Sequence, residues 1–172
     1  SRRGARVAIF ETKDYAKAAE FYRHLVLHSP DPKERLTAQR SLAEIYFDKL
    51  MNYDEALIEY GRLLPLVSAK ERPLYQMVMA KAHLNLNNFS QALIEIEDLL
   101  NKKVGDDLRF EALEFKGNLL QAAKRLDEAI AVFEQLMKQY PQRAQNDNVG
   151  ISLAICLEEK GDFKRTIAVL ES

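Results

Sequence analysis

Apolar and small residues return at three- and four-residue intervals along nearly the whole chain. Five stretches share one pattern: DYAKAAEFY at 14–22, NYDEALIEY at 52–60, NFSQALIEI at 88–96, RLDEAIAVF at 125–133 and DFKRTIAVL at 162–170. Each opens on a large apolar residue (Tyr15, Tyr53, Phe89, Leu126, Phe163) and places a small one three positions later, at Ala18, Ala56, Ala92, Ala129 and Thr166. Four residues on, a large apolar side chain returns as Tyr22, Tyr60, Ile96, Phe133 and Leu170. That spacing lays all three on one stripe of an α-helix. The small member admits a neighbouring helix and the large ones fill the space around it. The small positions lie 38, 36, 37 and 37 residues apart.

A second, earlier helix belongs to each unit. Its small positions are Ala43, Ala80, Gly117 and Ala154, 37 residues apart each time, with Tyr46, His83, Leu120 and Leu157 one turn on. Between paired helices stand LMN at 50–52, LNN at 86–88, AKR at 123–125 and KGD at 160–162. Turns this short make antiparallel helix hairpins. Asp31, Pro32 and Glu34 read as an N-cap, a first-turn proline and a capping-box partner, and Ser68 with Glu71 repeats the arrangement before Pro73. Pro30 and Pro141 are expected to end second helices, and Pro65 to end another early. The boundaries divide a single array over 1–172 into units near 1–30, 31–67, 68–104, 105–141 and 142–172.

Composition narrows the function classes. Hydrophobic residues are 47% and charged residues 30%, with 6 glycines, 5 prolines and no tryptophan, which suits a folded helical chain. The formal net charge of −1 announces no nucleic-acid partner. A lone cysteine, Cys156, excludes an intrachain disulfide and a cysteine zinc cluster. No apolar run approaches 18 residues, so no membrane insertion is expected from this stretch. The chain opens SRRGARVAIF without methionine and closes inside the apolar period, which reads as a piece of a longer polypeptide. The compartment stays open between cytoplasm and periplasm.

With its helical hairpins, paired small positions and closing prolines, the sequence resembles a tetratricopeptide repeat (TPR) array over nearly its whole length. The units run about 37 residues instead of the usual ~34, and none has a tryptophan opening its first helix. Extended units of this kind are similar to bacterial TPR proteins of the cell envelope and of regulatory complexes. The resemblance implies an all-α, right-handed superhelical solenoid of about five hairpins, with a concave groove lined by first helices.

Among candidate sites, Glu20, His24 and His28 stack one turn apart and have the residue types of a zinc or nickel site. They lie opposite the Tyr15, Ala18, Tyr22 and Leu25 stripe, which makes them a solvated outer face. His83 takes an aromatic slot, and Cys156 beside Ile155 and Leu157 reads as a buried, unreactive thiol. No glycine-rich phosphate loop, nucleophile elbow or HExxH is present, so neither catalysis nor a cofactor is expected.

By the pattern of the resembled family, groove positions fall opposite the small stripe. They are Thr37, Arg40, Glu44 and Phe47; Leu74, Met77, Lys81 and Leu84; Glu111, Glu114, Asn118 and Gln121; and Asn148, Ile151, Ile155 and Glu158. This set is apolar and basic in the middle and acidic towards the C-terminal end. The positions matching a chaperone-type carboxylate clamp carry Arg40/Glu44, Val78 and Glu111/Phe115, or Met77/Lys81, Phe115 and Asn148/Ser152, and cannot grip a terminal carboxylate. The expected function is a non-catalytic scaffold holding a protein or peptide segment in the groove of a larger assembly. The alternatives are a helical-repeat RNA binder, opposed by the acidic groove positions, and end-to-end self-association through terminal apolar residues such as Val7, Ile9, Ile167 and Leu170.

Overall fold

The computed structural model describes residues 14–171, which form helices and turns with no strand among them. Val7 and Ile9 lie outside the described residues. The chain divides into two compact units, at Asn87/Asn88. In the first, α1 (Tyr15–His28), α2 (Pro32–Glu44), α3 (Tyr53–Leu63) and α4 (Arg72–Asn85) pack each against the next. The second contains α5 (Phe89–Leu100), α6 (Asp106–Ala122), α7 (Leu126–Gln139), a short α8 (Pro141–Asn146), α9 (Val149–Lys160) and α10 (Phe163–Leu170). There α6 packs on α5 and α7, while α9 lies against α7 and α10. No described helix is long and apolar enough to cross a membrane.

The small stripes do what their spacing predicts. Ala18, Ala43, Ala56, Ala80, Ala92 and Ala129 are fully buried, and the large residues around them form the cores. In the first unit Ala43, Ala56, Tyr60, Leu63 and Val67 make one cluster, and Ala18, Ala19, Leu42 and Ile45 another. In the second, Phe110, Leu120, Ala129, Phe133, Leu136, Leu153 and Leu157 share a single core. Gly117 is the tightest approach: a Cβ there would stand 2.5 Å from the Phe133 ring.

The hairpin turns repeat one backbone device. Met51, Asn87, Lys124 and Gly161 all have positive φ, the left-handed residue that closes a helix. After Lys124 and Gly161 the next amide, of Arg125 or Asp162, donates back to the carbonyl five residues earlier, at 2.8 and 2.9 Å. The turn residue follows the small position by seven residues from Ala80, Gly117 and Ala154, but by eight from Ala43. The extra residue is absorbed by one π-helical turn, Ile45–Lys49, that continues α2. This insertion is the physical source of the 38-residue spacing, and the 36 that follows reflects a connection from Ala56 to Ala80 one residue shorter than from Ala92 to Gly117 or Ala129 to Ala154.

The expected capping box at Asp31 forms differently. Asp31 caps α2 by accepting from the Lys33 amide at 2.9 Å, but Glu34 does not reach back to the Asp31 amide. Ser29 intervenes: its hydroxyl accepts from that amide and donates to Glu34 at 2.7 Å. At Ser68 the reciprocal half does form, with Glu71 accepting from both the amide and the hydroxyl of Ser68. Pro65 ends α3 as anticipated, in a 3-10 turn over Leu64–Leu66.

Candidate interaction faces

In the first unit the candidate face is built from α2 and α4. Arg40 bridges them: its guanidinium donates to Glu71 at 2.5 Å and lies 5.9 Å from the Tyr75 ring centroid, while its Nε is buried without a partner. Hydrogen bonds from Ser68, and then Arg40, hold the Glu71 carboxyl below the usual carboxylate range. Arg40 is therefore a strut between helices, which sequence spacing could not reveal because Glu71 stands 31 residues away. Glu44 stays exposed; partial desolvation and Asp48 push its carboxyl up against the pull of Arg40. Thr37 and Leu74 are exposed, and Lys81 and Leu84 half-buried.

Two expected groove contacts are corrected. Phe47 falls in the π turn, whose extra residue rotates the following side chains about 100°. Its ring packs edge-on to Tyr53 at 5.4 Å and Tyr60 at 6.5 Å, against the core. Met77 is buried and offers no adaptable surface to a ligand.

In the second unit the face is carried by α6 and α9. Asn118, Glu111 and Glu158 are exposed and Glu114 half-buried, its carboxyl raised by burial and by Asp147. Gln121 is engaged: it donates to Glu159 at 2.9 Å, and Lys124 reaches the other oxygen at 2.7 Å. Asn148 precedes α9 with φ of 57°. Ile151 is exposed and lines a hollow with Met137, Val169 and Leu170, and Ile155 is exposed one turn on. Arg143, which the sequence reading passed over, stacks 4.2 Å from the Phe110 ring and pairs with Asp107 at 2.7 Å and Asp147 at 3.4 Å.

The remaining candidates fall as follows. Glu20, His24 and His28 are all exposed, and the two imidazoles lie 4.6 Å apart. No group of three metal-ligating side chains is gathered among the described residues. His83 is half-buried with Nδ1 enclosed and unpartnered. Cys156 is fully buried, and burial, then Glu159, push its thiol up.

The sequence profile of the tetratricopeptide repeat matches residues 77–144, from α4 to α8. This is a TPR fold. Solved structures agree across the chain. A TPR protein from Parabacteroides merdae superposes with a TM-score of 0.74 at 17% identity, over 95% of this chain and 60% of its own. MamA gives 0.72 at 13% identity, over 95% and 88%. YrrB, a TPR protein with an unusual peptide-binding site, gives 0.66 at 19% identity, over 95% and 78%. No curated protein matches the sequence. In TPR terms, α2, α4, α6 and α9 are first helices, and α1, α3, α5, α7 and α10 second helices.

Proposed function

We propose that this chain is a non-catalytic interaction scaffold that holds a protein or peptide segment along its first helices within a larger assembly. The observation that carries this reading is the make-up of those faces. In the first unit exposed apolar Leu74 shares its face with exposed Glu44, and in the second exposed apolar Ile155 shares its face with exposed Asn118 and Glu158. Apolar anchors with polar surroundings suit segment recognition, in which the anchors give affinity and the charges give register. The peptide-binding site of YrrB, on a similar fold, supports the same reading.

The test uses exposed positions only, because Arg40, Phe47 and Met77 also hold the fold together. Wild type and a Glu44→Arg, Leu74→Asp variant are compared by affinity capture from cell lysate, with circular dichroism confirming equal helicity. The expected result is one protein enriched by wild type and lost by the variant. Equal capture by both would remove the α2–α4 face as the binding surface.

A further inference from the structure

Two equivalent places in the array, 74 residues apart, are finished in opposite ways. In the second unit Phe110 of α6 meets the Tyr140 ring edge-on at 5.6 Å, just after α7. Arg143 of α8 stacks on the same Phe110 ring, 4.2 Å from its centroid, and pairs with Asp107 at 2.7 Å. Ala144 beside it is buried. In the first unit Asp107, Phe110 and Tyr140 are replaced by Lys33, Leu36 and Leu66. No helix corresponding to α8 follows the 3-10 turn there, and Ala69 and Lys70, which stand for Arg143 and Ala144, are exposed. Leu66 is left 59% exposed. Beside it opens a hollow of about 340 Å³, walled by Pro32, Lys33, Arg35, Leu36 and Leu66. Its walls, α2 and the turn after α3, are interior to the array.

The filled site indicates what the open one accepts. In the second unit the cover brings a positive charge to Asp107 and lies flat on an apolar ring. In the first unit Lys33 stands in place of that carboxylate, so the complementary cover is negative. Arg35 adds a second cation, its guanidinium fixed by donating to the Ser29 carbonyl at 2.7 Å. Neither Lys33 nor Arg35 makes an ion pair among the described residues. The carboxylates next to them in sequence are engaged elsewhere: Asp31 caps α2, and Glu34 accepts from the Ser29 hydroxyl. An apolar floor inside a charged rim is how interfaces hold an anchoring side chain. We propose that the occupant is an acidic segment of a partner protein, with a leucine or phenylalanine seated on Leu36 and Leu66 and carboxylates meeting Lys33 and Arg35. The proposal rests on the scaffold reading above and adds the partner's chemistry to it, at residues that the Glu44→Arg, Leu74→Asp variant leaves untouched.

The experiment is fluorescence anisotropy with labelled synthetic peptides in which one leucine or phenylalanine stands among aspartates and glutamates. Wild type is expected to bind them reversibly, and their asparagine and glutamine counterparts about tenfold more weakly. Lys33→Asp writes the second unit's residue into the first and replaces an attraction by a repulsion. It is expected to lose about tenfold for the acidic peptides and to gain affinity for peptides carrying arginine or lysine instead. Leu66→Glu, at an exposed position, is expected to abolish binding with helicity unchanged. Wild type that binds acidic and amide peptides alike, or neither at about millimolar concentration, overturns the proposal. So does binding indifferent to Leu66→Glu. A reversible wild-type dimer dispersed by Leu66→Glu would make the occupant a second copy and overturns it too. If the peptides fail while capture by the α2–α4 face succeeds, the scaffold reading stands without this seat.

Discussion

A single hydrogen atom decides the packing at Gly117. A Cβ there would meet Phe133 Cε1 at 2.5 Å, and that ring is fully buried in the core of the second unit. Alanine is the better helix former by about 1 kcal/mol, yet overpacking a rigid ring costs about 1–3 kcal/mol. Gly117→Ala is therefore expected to destabilise by about 1 kcal/mol net in urea unfolding. Phe133→Leu in the same chain should return part of that loss, so that the double variant is more stable than the two single effects added. Strict additivity would show that the ring moves aside. Glu59 makes the opposite kind of demand. Fully buried, it accepts from Gln39 at 2.7 Å and Arg62 at 2.9 Å, with Arg23 at 3.5 Å. Replacing Glu59 by leucine strands these donors and is expected to cost about 3 kcal/mol. The corresponding positions two units on are Leu113 and Val132, both in the apolar core. The paired change Gln39→Leu with Glu59→Val should consequently cost less than Glu59→Leu alone, measured by the same unfolding curves. Cys156 offers a third residue-scale readout. Its thiol is enclosed and raised, so a disulfide reagent at neutral pH should modify it only as fast as the second unit opens, and at once in denaturant. Rapid labelling of the folded protein would contradict its burial.

Each hairpin turn needs one left-handed residue, and only Gly161 meets it without a side chain to strain. At Met51, exposed and at φ of 49°, a Cβ in this region costs about 1 kcal/mol relative to glycine. Met51→Gly is expected to raise stability by about that amount, and Gly161→Ala to lower it similarly, both read as shifts in the urea midpoint. If Met51→Gly destabilises instead, the side chain has a packing role that its exposure does not suggest. The elements themselves were legible because burial is periodic: small residues 37 apart mark where helices touch, whatever the surface does. The π turn was legible too, as the long 38 in an otherwise more even series, though only as an irregularity. Its consequence for Phe47 was not. An extra residue rotates everything after it, so a groove position assigned by regular helical spacing landed on the core instead. Arg40 escaped for a different reason. Its partner Glu71 lies on another helix, and nothing in local spacing tells a strut from a free cation.

Across the whole molecule, 25 basic and 26 acidic residues nearly cancel, and pairing reduces the free positive charge further. Arg40 is held by Glu71, Lys116 by Glu97, Lys124 by Glu159, Arg143 by Asp107, Lys160 by Asp127 and Arg165 by Glu134. Glu44, Glu111 and Glu158 place exposed carboxylates on first helices of both units. A polyanion gains affinity chiefly by exchanging counterions for lysine and arginine along its phosphates, and that gain collapses as salt rises. Cations already committed to neighbouring carboxylates give little of it. The chain is accordingly expected to pass through immobilised heparin without retention at about 150 mM salt. Substituting Glu44, Glu111 and Glu158 together with lysine should create retention that a salt gradient then removes. Firm retention of the wild type at that ionic strength would favour a nucleic-acid ligand and count against recognition of a protein segment. The net charge is readable at once from composition, but which cations stay available depends on pairs formed between helices.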